Sequence, residues 1–249
     1  MVKLLAFYTN ATHPADGLLH PWDTSMWDFL GDWITPHGSE GTVNSPQNLL
    51  FNNCYLHYIT TLVAKISTIL GNPTAASKYD ADALRIASAV NQAFGNPSTG
   101  VYLDTLQTHA VMPLASGLVP VATQSKTMAN LANQILVNNT GHLDTGLTGT
   151  YFMTKMLMES GRNDLVFAYA NKTDFPSYGY FLSLGYTTWP EQWQVSTSLS
   201  LSLSRCVTCD PLNLPLAAGQ RRRLANARVL QRNRAVVHRR SGGDPCACV

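Results

Sequence analysis

Cysteine is nearly missing from the first 200 residues of this 249-residue chain. Cys54 stands alone there, and the other four (Cys206, Cys209, Cys246 and Cys248) crowd the C-terminal end. A disulfide framework is thereby excluded for the body of the protein. Long hydrophobic runs are lacking too: no stretch of 18 apolar residues occurs, which excludes a membrane-spanning helix of ordinary length. The opening Met1-Val-Lys-Leu-Leu-Ala-Phe-Tyr8 turns polar too soon for a secretory signal peptide. Glycosylation triplets begin at Asn10, Asn138 and Asn171, but they count only in a secreted protein, so the sequence assigns the chain to no compartment. Strand-like alternation is confined to Ser196–Ser204, a Ser/Leu low-complexity stretch with no partner strand in view.

Positive charge is scarce in one region and abundant in the other. Residues 1–204 hold 8 Lys+Arg against 13 Asp+Glu, a net of −5; residues 205–249 hold nine Arg against Asp210 and Asp244, a net of +7. The near-neutral total therefore hides two unlike pieces. A domain over residues 1–194 and a disordered basic tail over 195–249 are expected. Cys206-x-x-Cys209 and Cys246-x-Cys248 have the look of metal ligands, yet the 36 residues between them are Arg-rich and lack apolar periodicity. That argues against a zinc module. Arg221-Arg-Arg223 and Arg239-Arg240 offer phosphate neutralisation, but no aromatics interleave with them. Sequence-specific nucleic-acid binding is not expected. Cys246-Ala-Cys-Val249 matches a prenylation box only loosely.

What is present is helical periodicity. Residues 1–45 read as loops, and from Pro46 apolar residues recur at three- and four-residue steps between Leu49 and Leu70. Gly71-Asn-Pro73 ends that helix and starts another, which Gly95-Asn-Pro97 stops. Further helices are predicted over 102–118 (interrupted at Met112-Pro113), 123–137, from Gly146 to Glu159, 164–170 and, short, 176–184. Helices joined by short loops, with no strands between them, predict stacked antiparallel helical hairpins, an all-α toroid or array.

Glu191 is the most informative residue. In Gly185-Tyr-Thr-Thr-Trp-Pro-Glu-Gln-Trp193 it lies between Trp189 and Trp193, after the aromatic run Phe175-Pro-Ser-Tyr-Gly-Tyr-Phe181. Sugar-processing sites need this combination, because flat apolar rings cover the C–H faces of a pyranose while a carboxylate handles protons at the anomeric carbon. A surface Glu beside two core tryptophans is the competing reading. Asp32 and Trp33 share a second loop; His142 and Asp144 share a third, and helix ends that open on one side gather such loops into a funnel. Against this, Asp32 and Asp144 suit helix caps or turns, and His142 suits a satisfied loop histidine. His57, among apolar helix residues, reads as structural.

In that order the motifs are familiar. Gly31-Asp-Trp-Ile-Thr-Pro-His-Gly38, the helix containing Tyr58-Ile-Thr-Thr-Leu-Val-Ala-Lys-Ile66, Gln107-Thr-His-Ala-Val-Met-Pro-Leu114, Gly141-His-Leu-Asp-Thr-Gly-Leu-Thr-Gly-Thr150 and the Phe175–Trp193 stretch together resemble the catalytic domain of the bacterial-type α-L-rhamnosidases (glycoside hydrolase family 78), over about two-thirds of the chain. The resemblance implies an (α/α)6 six-hairpin toroid, here partial, and an inverting hydrolase of terminal α-L-rhamnosides that needs no cofactor and no metal. It implies Glu191 as general base, Trp33, Trp189 and Trp193 as rhamnose-facing aromatics, and Asp32, His142 and Asp144 as rim residues. The family's general acid belongs to an Asp-Glu-Arg segment upstream of Gly-Asp-Trp, and no match to it occurs among the 30 residues before Gly31. A His-Gly stretch expected after Trp193 is likewise replaced. The expectation is a domain truncated at both ends, impaired or inactive as a hydrolase. Two alternatives stand beside it: a sugar-binding remnant without catalysis, and a basic tail that binds nucleic acid or anionic surfaces.

Overall fold

The computed structural model describes residues 2–21, 29–37 and 45–193. The basic tail with its four cysteines and the Ser/Leu stretch lie outside the described residues, and so does the expected domain limit at 194. Among the described residues there are helices and no strands, only isolated bridges such as Gly95 with Tyr102. The all-α architecture follows from the apolar periodicity.

The described residues form eight α-helices: α1 (Val2–Asn10), α2 (Pro46–Ile69), α3 (Pro73–Phe94), α4 (Gln107–Ser116), α5 (Val121–Asn133), α6 (Leu147–Glu159), α7 (Asn163–Ala170) and α8 (Tyr178–Ser183). A π-helical turn, Gln134–Asn138, extends α5. Starts are written locally. Ser45 accepts a hydrogen bond from the Asn48 amide ahead of Pro46, and Asn72 accepts one from the Ala75 amide ahead of Pro73. Both are N-cap residues followed by a proline whose missing N–H costs nothing in the first turn.

Three hairpins result. α2 packs on α3 most extensively, α4 on α5, and α6 on α7, while α4 also lies between α2 and α6. So α2, α4 and α6 form one layer, with α3, α5 and α7 behind it. The core between them is apolar: Leu50, Leu56, Ile86, Met112, Leu131, Ile135, Met153 and Leu157 are all fully buried. Such burial contributes on the order of 1.5–3 kcal/mol per large side chain. His57 is buried in α2, where its Nδ1 meets the Ser116 carbonyl at 3.0 Å.

Three expectations need correction. Residues 1–45 are not all loop, since Val2–Asn10 is helical and buries Leu5 against the core. The helix expected from Tyr102 starts only at Gln107, because Tyr102 is bridged to Gly95 and Leu103 has φ +57°, which no right-handed helix admits. Pro113, expected to interrupt it, lies inside α4, which continues to Ser116 and ends on left-handed Gly117.

Candidate active site

α4 and α6 begin without capping side chains of their own. Leu106 and Gly146 precede them and offer none. Two aspartates from elsewhere in the chain do this work. Asp32 accepts from the Gly146 amide at 2.7 Å, from the Gly149 amide at 2.7 Å and from the Thr108 hydroxyl at 2.6 Å. Asp144 accepts from the Gln107 amide at 3.1 Å and from the Asn139 side chain at 2.8 Å. Each carboxylate thus meets the positive end of a helix whose orphan N–H groups need acceptors. Gly149 is required here, since a Cβ on it would lie 2.1 Å from the Asp32 carboxylate.

These contacts lay the 29–37 loop across the starts of all three front helices. Asn48 and Asn52 of α2 donate to the carbonyls of Phe29 and Leu30 at 3.0 and 2.7 Å. Asp32 holds α4 and α6, and the Leu147 amide donates to the Trp33 carbonyl at 2.8 Å. Ile34, next in the chain, has φ +50°, a strained conformation for a β-branched residue.

Glu191 arrives from the other end of the sequence. α8 closes with paired bonds, Tyr186 amide to Phe181 carbonyl and Gly185 amide to Leu182 carbonyl, around Gly185 at φ +79°. This is the Schellman arrangement, and glycine suits its left-handed position. Beyond it, Trp193 stacks on Phe181 (centroids 5.6 Å, 28° between planes) and donates through Nε1 to the Thr145 carbonyl at 3.1 Å. Tyr178 meets Trp189 at 4.8 Å and Trp193 at 5.4 Å. Burial pushes the Tyr178 phenol above its ordinary pKa, while a hydrogen bond with Thr150 partly opposes this. The aromatic wall sets the Trp189–Trp193 loop so that Trp33 Nε1 donates to Glu191 Oε1 at 2.9 Å.

The result is a cleft of about 100 Å³ lined by Gly146, Leu147, Thr150, Tyr178, Trp189, Glu191 and Trp193, among others. It is small beside the roughly 300–1,000 Å³ common for ligand pockets, and so suits one face of a single ring. Among the described residues lining it, Glu191 is the only carboxylate. Glu191 is exposed, and Trp189 is 58% exposed, so both are open to a ligand. Trp193 is buried at 6%, presenting little more than an edge.

The structure therefore brings Trp33, Glu191, Trp189 and Trp193 together. It keeps Asp32, Asp144 and His142 off the cleft surface. Asp32 and Asp144 are each 3% exposed and spend their oxygens on capping helices. His142 faces away towards Asp174, with Nε2 and Oδ1 2.9 Å apart. Sequence reasoning passed over Tyr178, Leu147 and Thr150 as lining residues, although all three lie within the motifs that drew attention. No group of three His, Cys, Asp or Glu among the described residues is placed to hold a metal, and no described helix is long and apolar enough to cross a membrane.

Comparison with known proteins gives the site its context. Residues 5–208 match the family described as the bacterial alpha-L-rhamnosidase 6 hairpin glycosidase domain. An alpha-L-rhamnosidase of Formosa agariphila is 26% identical over 187 residues, 72% of this chain and 20% of that protein. The alpha-L-rhamnosidase structure from Dictyoglumus thermophilum superposes with a TM-score of 0.67 at 27% identity, over 79% of this chain and 21% of that one. That of Streptomyces avermitilis, complexed with L-rhamnose, gives 0.60 at 25% identity, over 76% and 17%. The chain spans about a fifth of the length of the curated relatives it matches.

Proposed function

The chain belongs to the bacterial alpha-L-rhamnosidase six-hairpin glycosidase family, and from that premise we propose that its cleft binds a terminal α-L-rhamnosyl unit with Glu191 as the general base of an inverting hydrolysis. The observation that carries this reading is the Trp33–Glu191 hydrogen bond, 2.9 Å across 158 positions of sequence. It fixes a carboxylate at the mouth of an aromatic cleft, where a water between Glu191 and the anomeric carbon would lose its proton to the carboxylate. Trp189 and the edge of Trp193 would cover the apolar side of the deoxy-sugar, whose C6 methyl favours such a wall. Asp32 and Asp144 would act one step removed, by capping the helices that carry Gly146, Leu147 and Thr150.

Inverting hydrolysis also requires an acid to protonate the leaving oxygen, on a carboxyl roughly 6.5–9.5 Å from the base. No second carboxylate lines the described cleft. A base acting without such an acid would turn over about 10²–10⁴-fold more slowly than a complete acid–base pair. Substrates that leave without protonation would suffer least. The test compares nitrophenyl and alkyl α-L-rhamnosides: slow release of nitrophenol, no release of the alcohol, and loss of the nitrophenol release with Glu191→Gln are expected. Fast hydrolysis of the alkyl rhamnoside would overturn the assignment of a base acting without its acid.

Carbohydrate binding without catalysis is the second reading, favoured by the exposure of Trp189. Under it, rhamnose would quench tryptophan fluorescence equally in the Glu191→Gln variant, with no product formed by either protein.

A further inference from the structure

Threonine hydroxyls in α2 and α6 follow a habit. Those of Thr60, Thr61, Thr68 and Thr154 turn back to the carbonyl four residues earlier, at 2.7 to 3.2 Å. Thr150 departs from it. Its amide takes the Gly146 carbonyl, while its Oγ1 lies 2.7 Å from Thr145 Oγ1 on the wall of the cleft.

Burial decides which of the two hydroxyls donates. Thr145 is fully buried, and among the described residues Thr150 Oγ1 is the partner of its hydroxyl. Each hydroxyl has one proton to give, and a buried proton without an acceptor is costly. Thr145 therefore donates and Thr150 accepts. The proton of Thr150 is left for an oxygen on the cleft side, where the Tyr178 phenol also stands. Thr145 has a second duty, since its carbonyl accepts from Trp193 Nε1 at 3.1 Å. One buried residue thus sets both a polar spot and an indole of the same cleft.

We propose that Thr150 binds the sugar, donating its hydroxyl proton to one ring hydroxyl of the rhamnosyl unit, and that Thr145 is its positioning residue. An aromatic wall holds a pyranose by its C–H face and leaves it free to turn in its own plane. A hydrogen bond at one edge stops that turn and decides which carbon meets Glu191. Apart from Glu191 and the indole N–H groups, Thr150 and Tyr178 carry the polar side-chain atoms among the described lining residues. Of these two, Thr150 is the one whose orientation a buried neighbour fixes.

The inference rests on the reading of the cleft as a rhamnosyl site, and its test separates the two. Methyl α-L-rhamnoside and its three monodeoxy counterparts, lacking the hydroxyl at C2, C3 or C4, are titrated against the full chain with tryptophan fluorescence as the signal. Thr150→Val should weaken binding of the parent sugar about five- to tenfold. The loss should vanish for the one counterpart that lacks the bonded hydroxyl, as in a double-mutant cycle. Thr150→Ser, which restores the hydroxyl, should restore binding, and Thr145→Val should give a smaller loss confined to the same counterparts. A merely structural role would weaken all four sugars alike. Equal losses across the four, or none, in a wild-type protein that binds the parent sugar would overturn the role of Thr150 and leave the rhamnosyl site standing. Wild-type protein that binds none of them would overturn both. Should Thr150→Val fail to fold, Thr145→Val decides by the same comparison.

Discussion

Three carboxylates converge on the starts of the front helices, and they live under opposite conditions. Asp32 and Asp144 are buried, with both oxygens of each engaged by backbone amides or polar side chains. Glu191 is exposed on a short loop and, among the described residues, takes its bond from the Trp33 indole. A buried carboxylate with both oxygens engaged is part of the frame, because removing it strands donors that water cannot reach. An exposed carboxylate held by one neighbour keeps acceptor capacity for a water or a sugar hydroxyl. The three aspartate and glutamate side chains look alike in sequence; burial divides them into structural and chemical groups.

Substitution should divide them the same way. The largest effect is expected from Asp32→Ala, which strands the Gly146 and Gly149 amides and the Thr108 hydroxyl at once. At about 1–3 kcal/mol per stranded group, allowing for partial relaxation, the loss is on the order of 4 kcal/mol. Thermal unfolding should fall by roughly 10 °C. Gly149→Ala drives a methyl group against the same carboxylate and should cost about 1–3 kcal/mol. If either variant unfolds like the wild type, Asp32 is not part of the frame.

Glu191→Gln is the opposite case. Its stability should stay within about 0.5 kcal/mol of wild type, while release of nitrophenol falls at least about 10²-fold. A drop in melting temperature comparable to that of Asp32→Ala would erase the distinction between the two kinds of carboxylate. Trp33→Phe sharpens it further. The ring survives and the N–H is lost, so about 1 kcal/mol of orientation at Glu191 disappears, roughly a fivefold decline in kcat/KM with little change in folding.

How far the sequence disclosed this arrangement depends on the kind of signal. The long helices were legible because their caps are local: Ser45-Pro46 and Asn72-Pro73 announce α2 and α3, and apolar spacing carries them to Ile69 and Phe94. Gly185 and the tryptophans beside Glu191 were legible as a motif. The roles of Asp32 and Asp144 were not, because α4 and α6 are capped by residues far away in the chain, 117 positions apart for Asp32 and Gly149. No local pattern records such a pairing. The start of α4 was misplaced for a related reason: Leu103 adopts a left-handed conformation imposed by the Gly95–Tyr102 bridge, against the helical pattern of its neighbours. Local signals reveal elements, and contacts between distant elements decide which polar side chains remain available to a ligand.

The smallest predicted effect concerns a buried titratable group remote from these carboxylates. Burial in α2 holds His57 below its ordinary pKa, and its hydrogen bond to the Ser116 carbonyl offsets only part of that. In the unfolded chain the ring titrates near 6.5. On acidification the unfolded state therefore takes up its proton first, and stability declines from about pH 6.5 down through the lower folded value. Above that range the contribution of His57 is constant. His57→Gln keeps an N–H for the Ser116 carbonyl and removes the titration, so its stability should depend less on pH between about 7 and 5 than that of the wild type. Urea unfolding at several pH values measures this directly. The difference should be insensitive to Asp32→Asn, since the two groups sit on separate hydrogen-bonding networks; coupling between the two variants would mean that the frame at the helix starts extends along α2 to the end of α4.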